Sequence, residues 1–220
     1  MAKGPVSRTA GKEFRKRLLL GREDNTMHLK RLFGSAGWKG TENYLNTQKK
    51  YEVLRTVILF AVSLSLFAAG WIQTGTRANL LTIVAVLGFL PASRSLVNAI
   101  MFLRFQGCSS ETAAELGRRG EGLSVLYDCV FTSYRKNYCV SHIAVRGNIV
   151  CGYTEEKHFE ENEFYKHIGE ILKADGHGEA TVKIFTSLPK YTERLEQMKS
   201  LEENRAKTQA LVQTIKSVIL

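Results

Sequence analysis

Three residues in the second half of the chain have the types and spacing for metal-dependent phosphate chemistry. Asp128 lies in one predicted strand, and Glu155 and Lys157 belong to a Glu-x-Lys triplet at the end of another. Carboxylates that converge can hold a divalent cation beside a phosphate. Asp128, Glu155 and Lys157 are therefore the candidate catalytic residues of this sequence.

The predicted strand pairing argues against such a site. With a two-residue turn between the second and third strands, Glu155 lies opposite Val140, and the facing stretch 139–141 has no carboxylate. Asp128 lies one strand further back. The simpler interpretation makes Glu155 and Glu156 a polar strand end that leads into a helix N-terminus, where acidic side chains suit the helix dipole.

Other residue types with reactive side chains show no recognisable pattern. His142 lies in the middle of a predicted strand with no serine or cysteine nucleophile at a recognisable elbow. The cysteines form no CxxC pair and have no histidines at metal-ligand spacing, so we expect free structural thiols without zinc or disulfides. They are Cys108, Cys129, Cys139 and Cys151. The sequence therefore predicts neither a cofactor nor a bound metal.

The elements that carry these residues have the order α-β-β-β-α-β-α and form a small α/β domain over residues 106–220. Gly147-Asn148 is a two-residue hairpin signal, which makes part of the sheet antiparallel. The pattern predicts helices at 109–119 and 159–174, strands at 123–133, 138–146, 149–156 and 180–187, and a helical region from Pro189 towards Leu220 with a break near Asn204.

That element order resembles the core of restriction-endonuclease-like nucleases, over about 80 residues. Those enzymes place an Asp on the second core strand and a (D/E)-x-K triplet on the third. The resemblance is topological, and Glu155-Glu156-Lys157 is the triplet that matches it. It implies, as an alternative function, a membrane-tethered metal-dependent nuclease or hydrolase with a degenerate core.

Two apolar runs precede this domain and predict a two-helix transmembrane hairpin at 53–105. The first, 53–72, has Tyr51 and Trp71 at its ends, roughly 30 Å apart along a helix, which matches the hydrocarbon thickness. The second, 79–103, contains Pro91, which should kink it, and Arg94, which we expect to reach the far interface. Residues 95–105 are either a kinked continuation, which we favour, or an interfacial helix. A buried hairpin in a soluble core is disfavoured by the aromatic ends.

Positive charge predicts the orientation of this hairpin. Residues 1–55 have 13 Lys/Arg and 5 Asp/Glu, whereas residues 106–220 have 15 and 16. Lys49, Lys50, Arg55 and Arg104 flank the hairpin, and the loop has only Arg77. Both termini should therefore be cytosolic, in a multi-pass protein of the cell membrane. We expect these cations, with Tyr51, Trp71 and Arg94, to form the lipid interface.

Residues 1–52 form a basic, cytosolic N-terminal segment. Its first 20 residues predict a flexible tail that can lie on an anionic membrane surface, and a short helix is predicted near 25–33. No secretory signal peptide is apparent, so the first membrane helix should act as its own insertion signal. The basic charge lies beside the membrane segment and no nucleic-acid motif is present, which argues against a nucleic-acid partner.

The sequence as a whole predicts an α+β protein, with a membrane hairpin and a cytosolic α/β domain. The leading hypothesis is a non-enzymatic anchor for that domain, acting as scaffold, assembly factor or subunit of a membrane complex. Its expected partners are anionic lipids and either other proteins or further copies of this chain. Besides the nuclease, a second alternative is an oligomeric channel or transporter accessory subunit, for which Arg94 would be the residue to test.

Overall fold

The structure is a computed structural model that describes residues 36–76 and 78–220. Within them the chain is α+β, with six α-helices and a four-stranded mixed sheet. The helices are α1 (Tyr44–Thr74), α2 (Leu80–Arg104), α3 (Ser110–Arg119), α4 (Glu161–Ala174), α5 (Leu188–Lys199) and α6 (Arg205–Val218). The strands are β1 (Ser124–Thr132), β2 (Asn137–Arg146), β3 (Ile149–Tyr153) and β4 (Thr181–Phe185). The predicted tail, the helix near 25–33 and Arg77 lie outside the described residues.

Helices α1 and α2 pack against each other as an antiparallel pair, and both are long and apolar enough to cross a membrane. Gly75, at φ 63°, ends α1 in the left-handed conformation that glycine adopts without strain. The Asn79 side chain accepts a hydrogen bond from the Thr82 amide at 2.8 Å and caps α2. Continuous helix from Leu80 to Arg104 confirms that residues 95–104 prolong the second helix.

Small and short polar side chains line the contact between α1 and α2. They recur at seven-residue intervals, the spacing that keeps one seam of a helix pair in contact. An added Cβ at Gly88 would come within 2.6 Å of Ser63 Oγ, so the helices approach closely there. The buried members are Thr56, Ser63 and Gly70 on α1 and Ala85, Ala92 and Ala99 on α2.

Large apolar side chains cover the outer faces of the same helices. Only 17% of the most apolar 18-residue stretch of each helix is buried. Exposed members include Val57, Ile58, Val62, Leu64, Ile83, Val86, Leu87, Leu90, Val97 and Ile100. Small residues inside and large apolar residues outside are the reverse of a helix pair in water, because apolar surface is normally the part that folding buries.

The sheet has the order β1-β2-β3-β4, with the first two pairs antiparallel and β3-β4 parallel. Arg146 pairs with Ile149 around a turn in which Gly147 has φ 58°, which confirms the hairpin predicted at Gly147-Asn148. Strand β3 ends at Tyr153, earlier than predicted, and the Thr154 hydroxyl then bonds back to the Cys139 carbonyl at 2.7 Å.

Helices cover both faces of the sheet. Helices α4 and α6 pack on one face, and α3 and α5 on the other. The C-terminal helical region is interrupted where predicted, and Asn204 caps α6 by accepting from the Lys207 amide at 3.1 Å. Leu211 and Ile215 are buried in the core between the sheet and helices α4 and α6, so α6 covers a sheet face of its own chain.

Strand β1 departs from simple alternation. Leu126, Cys129 and Phe131 all face the core beneath α4 and α6. Because side chains of a regular strand alternate between the two faces, the alternation must shift by one residue between Leu126 and Cys129. Asp128 lies within that interval, with φ 52°, and it is left out of the β1–β2 ladder. The left-handed backbone of Asp128 therefore interrupts the regular pleat of β1 at this residue.

Candidate functional site

The Asp128 carboxylate joins the α/β domain to both ends of the helical hairpin. Oδ1 accepts a hydrogen bond from the Cys108 amide at 2.7 Å, and Oδ2 accepts one from the Leu45 amide at 3.2 Å. Leu45 lies in the first turn of α1, and Cys108 lies just after α2. One buried side chain therefore fixes the domain against the start of one long helix and the end of the other.

Helix α1 needs this distant partner because it has no local cap. Its N-cap residue, Asn43, has φ 57° and makes no capping hydrogen bond with its side chain. The first amides of any helix lack intrahelical acceptors, and a carboxylate near them also interacts favourably with the helix dipole. Asp128 supplies that acceptor from 83 residues further along the chain.

The position of Asp128 has an electrostatic cost. Burial raises the pKa of its carboxyl group, and the amide hydrogen bonds from Cys108 and Leu45 and the charge of Lys49 only partly oppose that effect. The charge of Glu42 adds to the rise. The folded protein therefore holds a proton on Asp128 more readily than the unfolded chain does.

The segment before α1 and the C-terminus also attach to the outer edge of β1. The Tyr127 amide donates to the Gly40 carbonyl at 2.9 Å, and the Leu220 amide donates to the Val130 carbonyl at 3.0 Å. An edge strand otherwise presents unpaired backbone groups. These contacts extend the junction to residues on both sides of Asp128 in β1.

A cavity of about 760 Å³ lies beside this junction, between the end of α2 and strand β2 with the turn before it. We call it the junction cavity. Its α2 side is apolar, and its domain side is charged. The residues that define this contrast are Val97, Ile100 and Met101 on α2, then Arg104, and across from them Arg135, Lys136, Glu155 and Glu156.

Lys136 is the best-paired cation of the junction cavity. Its Nζ lies 3.2 Å from Glu160 Oε1 and 3.5 Å from Glu156 Oε1, and it donates to the His158 carbonyl at 2.9 Å. The hydrogen bond that Lys136 donates to the Glu160 carboxylate is the largest cause of its raised pKa. Lys136 thus joins the β1–β2 turn to the segment that precedes α4.

A polar cluster ties α1 to α2 near their domain end. Arg55 Nη2 lies 2.5 Å from Glu52 Oε2, and Arg55 Nε donates to Ser95 Oγ at 3.2 Å. The Ser95 and Thr56 hydroxyls are 2.9 Å apart, and Gln48 donates to Glu52 Oε1 at 3.0 Å. The charge pair lies within α1 at the contact with α2, where such a pair is tolerated because its polar groups find these partners.

The residues predicted for the lipid interface lie on α1 and α2. Arg55 is turned towards the polar cluster instead of standing alone at the helix surface. Arg94 is exposed on the outer side of α2. Of the remainder, Lys50, Trp71 and Arg104 are exposed, and Lys49 and Tyr51 are half-buried.

The candidate catalytic residues have separate environments. Asp128 is 2% exposed and bound to two amides, whereas Lys157 is exposed in the turn after β3. Glu155 lines the junction cavity and accepts from the Ser109 hydroxyl at 3.3 Å. Among residues 36–76 and 78–220, no three His, Cys, Asp or Glu side chains are placed to hold a metal ion.

His142 is completely buried. Its Nδ1 lies 2.7 Å from the Tyr191 hydroxyl, which also donates to the Cys151 carbonyl at 3.3 Å. Its Nε2 is buried with no hydrogen-bond partner among the described residues. Burial lowers the pKa of His142 to about 4, so the ring is neutral at physiological pH.

Sequence reasoning missed the role of Asp128 as a cap and the pairing of Glu52. The only local signal for Glu52 was its three-residue spacing from Arg55 at the edge of an apolar run.

No protein-family model, curated protein or solved structure matches this chain.

Proposed function

We propose that this chain is a two-span integral protein of the cell membrane that holds its α/β domain in a fixed orientation at the inner surface. There the domain binds protein partners, as a scaffold, an assembly factor or a subunit of a membrane complex. The observation that carries this proposal is the Asp128 carboxylate, which binds amides at both ends of the hairpin. A domain attached in this way cannot rotate freely about a single linker.

The surface of the hairpin supports membrane insertion. Its outer faces expose large apolar side chains, and the hydroxyl groups of Thr56, Ser63 and Ser95 are buried between the helices. In water that much contiguous apolar surface would drive association, whereas in a bilayer it is the surface that lipid requires. The cations that flank the hairpin favour a cytosolic position for both termini.

The arrangement of the acidic residues favours binding over catalysis. Asp128 accepts hydrogen bonds from two backbone amides and does not join Glu155 and Lys157, and no three His, Cys, Asp or Glu side chains of the described residues are placed to hold a metal ion. The nuclease alternative rests on the observed order of strands and helices, which keeps the resemblance noted in the sequence. The two functions predict different behaviour of the purified protein.

The test uses the full-length chain, because residues 40 and 45 before and within α1 contact β1 directly. Membranes are extracted with alkaline carbonate, and the tagged protein is then purified in mild detergent. We expect the chain to stay in the carbonate-resistant pellet and to co-purify with a stoichiometric protein partner or as an oligomer. Release by carbonate, or recovery as a monomer alone even after crosslinking in membranes, would contradict the proposal.

The same preparation tests the alternative. Metal-dependent nuclease activity that is lost on Glu155→Ala and on Lys157→Ala, with Glu179→Ala as a matched control, would favour the enzyme. Glu179 is an exposed acidic residue before β4. Activity that is equal in all three variants would point to a contaminant.

A further inference from the structure

The junction cavity has an apolar side and a charged side. Val97 and Ile100 on its α2 side are exposed large apolar residues that continue the outer face of the hairpin. The opposite side belongs to the charged domain. If the hairpin spans the membrane as proposed above, the cavity lies where hydrocarbon gives way to the head-group region. Its volume of about 760 Å³ is in the range of small-molecule sites.

The cationic end of the junction cavity is Arg104, the last residue of α2. Within the described residues Arg104 makes no ion pair, whereas Lys136 is held by two carboxylates. Arg135 is a second cation of the cavity, and its side chain is largely exposed. Its Nη1 lies 4.0 Å from Glu163 Oε1, which is a weak contact. Arginine at a membrane interface is well suited to bind phosphate.

The anionic end consists of Glu155 and Glu156. Glu156 Oε2 is buried and has no hydrogen-bond partner among the described residues, although its Oε1 lies near Lys136. Glu155 accepts only the long hydrogen bond from Ser109. The Glu155 side chain is exposed and the Glu156 side chain is 29% exposed, so a cationic N–H donor in the cavity can reach both carboxylates.

We propose that the junction cavity binds a phospholipid of the inner leaflet whose head group ends in a primary amine, of the phosphatidylethanolamine type. The phosphate lies at Arg104 and Arg135, and the ammonium donates to Glu156 and Glu155. The acyl chains follow the apolar surface of α2 past Ile100 and Val97.

Charge and donor chemistry separate this lipid from its competitors. A choline head group has no N–H to donate to Glu156. Quaternary ammonium is usually bound by several aromatic rings, whereas Phe105 is the one aromatic residue among the described residues that line this cavity. A glycerol head group supplies no ammonium for Glu155 and Glu156. Only the amine head group pairs both ends of the cavity.

The experiment measures lipids retained by the full-length protein. The chain is reconstituted in bilayer nanodiscs with equal amounts of phosphatidylethanolamine, phosphatidylcholine and phosphatidylglycerol, then released into detergent, and its bound lipids are identified by native mass spectrometry. We expect phosphatidylethanolamine to exceed phosphatidylcholine by roughly tenfold, the size of one charge-assisted hydrogen bond. Glu156→Gln should bring the two to parity, and Arg104→Gln should reduce both.

Glu179→Gln and Arg118→Gln are the matched controls, since both are exposed and neither lines the cavity. Equal retention of ethanolamine and choline lipids by the wild type would overturn the proposal, as would a preference for phosphatidylglycerol or an unchanged profile in Glu156→Gln. These results differ from failure of membrane insertion, in which the chain would not enter nanodiscs at all.

Discussion

Removal of the Asp128 side chain should release both ends of the hairpin from the domain. Leu45 is fully buried and Cys108 is 7% exposed, so their amides would lose their acceptor without gaining much water. An unsatisfied buried donor costs about 1–3 kcal/mol, so two cost about 2–6 kcal/mol before the relief of carboxylate desolvation. Asp128→Gly isolates this effect, because glycine adopts φ 52° freely, whereas alanine adds about 1–2 kcal/mol of strain.

Hydrogen–deuterium exchange of the full-length protein in detergent measures the loss of these two hydrogen bonds at the individual segments. The loss of about 1–3 kcal/mol at each amide corresponds to roughly 5- to 150-fold faster exchange in peptides that cover Leu45 and Cys108. Asp175→Gly is the matched control, because that carboxylate binds the Thr214 hydroxyl within the domain and does not contact the hairpin. Asp128→Asn should affect one amide more than the other, since it keeps only one acceptor oxygen.

Unchanged exchange at both positions in Asp128→Gly would refute the role of this carboxylate as a clamp. The pH dependence supplies a second check. Because the folded pKa is raised, the folded state binds the proton more tightly, and stability from this residue falls as pH rises from the unfolded value, about 3.9, through the folded pKa. Asp128→Asn should abolish that dependence, measured as the difference in unfolding free energy between the two proteins.

Further predictions concern the domain interior. An added Cβ at Gly152 would lie 2.6 Å from a side-chain carbon on β4, so Gly152→Ala should lower the unfolding free energy by about 1–3 kcal/mol in denaturant titrations. Gly169→Ala, on an α4 face with open space, should instead raise it by about 0.5–1 kcal/mol, and a loss there would contradict the packing. His142 has a folded pKa of about 4, below the unfolded value of about 6.5, so stability should be lost as pH falls through that interval, by up to about 3 kcal/mol. His142→Gln should remove this acid sensitivity, and equal sensitivity in both proteins would exclude the buried neutral ring as its source.

Local patterns predicted most of the architecture because their signals lie within a few residues. The Gly147-Asn148 turn, the break near Asn204 and the long apolar helices are all properties of short windows, and the structure confirms them. Asp128 was correctly placed in a strand, but its left-handed backbone and the shift in alternation are set by partners far along the chain. The spacing of apolar residues in the sequence does not show which distant residues contact Asp128.

The candidate site was predictable only in part for the same reason. Glu155 was expected at the end of β3 opposite Val140, but the ladder stops at Tyr153, which pairs with His142, so Glu155 lies two residues beyond the strand. The junction cavity, in contrast, is lined by the end of α2 and by β2, which are far apart in the sequence, so no local pattern indicates it. The burial of His142 likewise depends on Tyr191, which comes from α5.

Accessibility of single cysteines to a membrane-impermeant maleimide tests the central claim most directly. Gln73→Cys places a thiol at the exposed end of α1, and Tyr134→Cys places one in the fully exposed β1–β2 turn. The native cysteines are buried or half-buried and set the background. We expect Gln73→Cys to react in intact cells and Tyr134→Cys to react only after permeabilisation. Labelling of Tyr134→Cys in intact cells, or equal protection of both until permeabilisation, would contradict a two-span protein with its domain on the inner side.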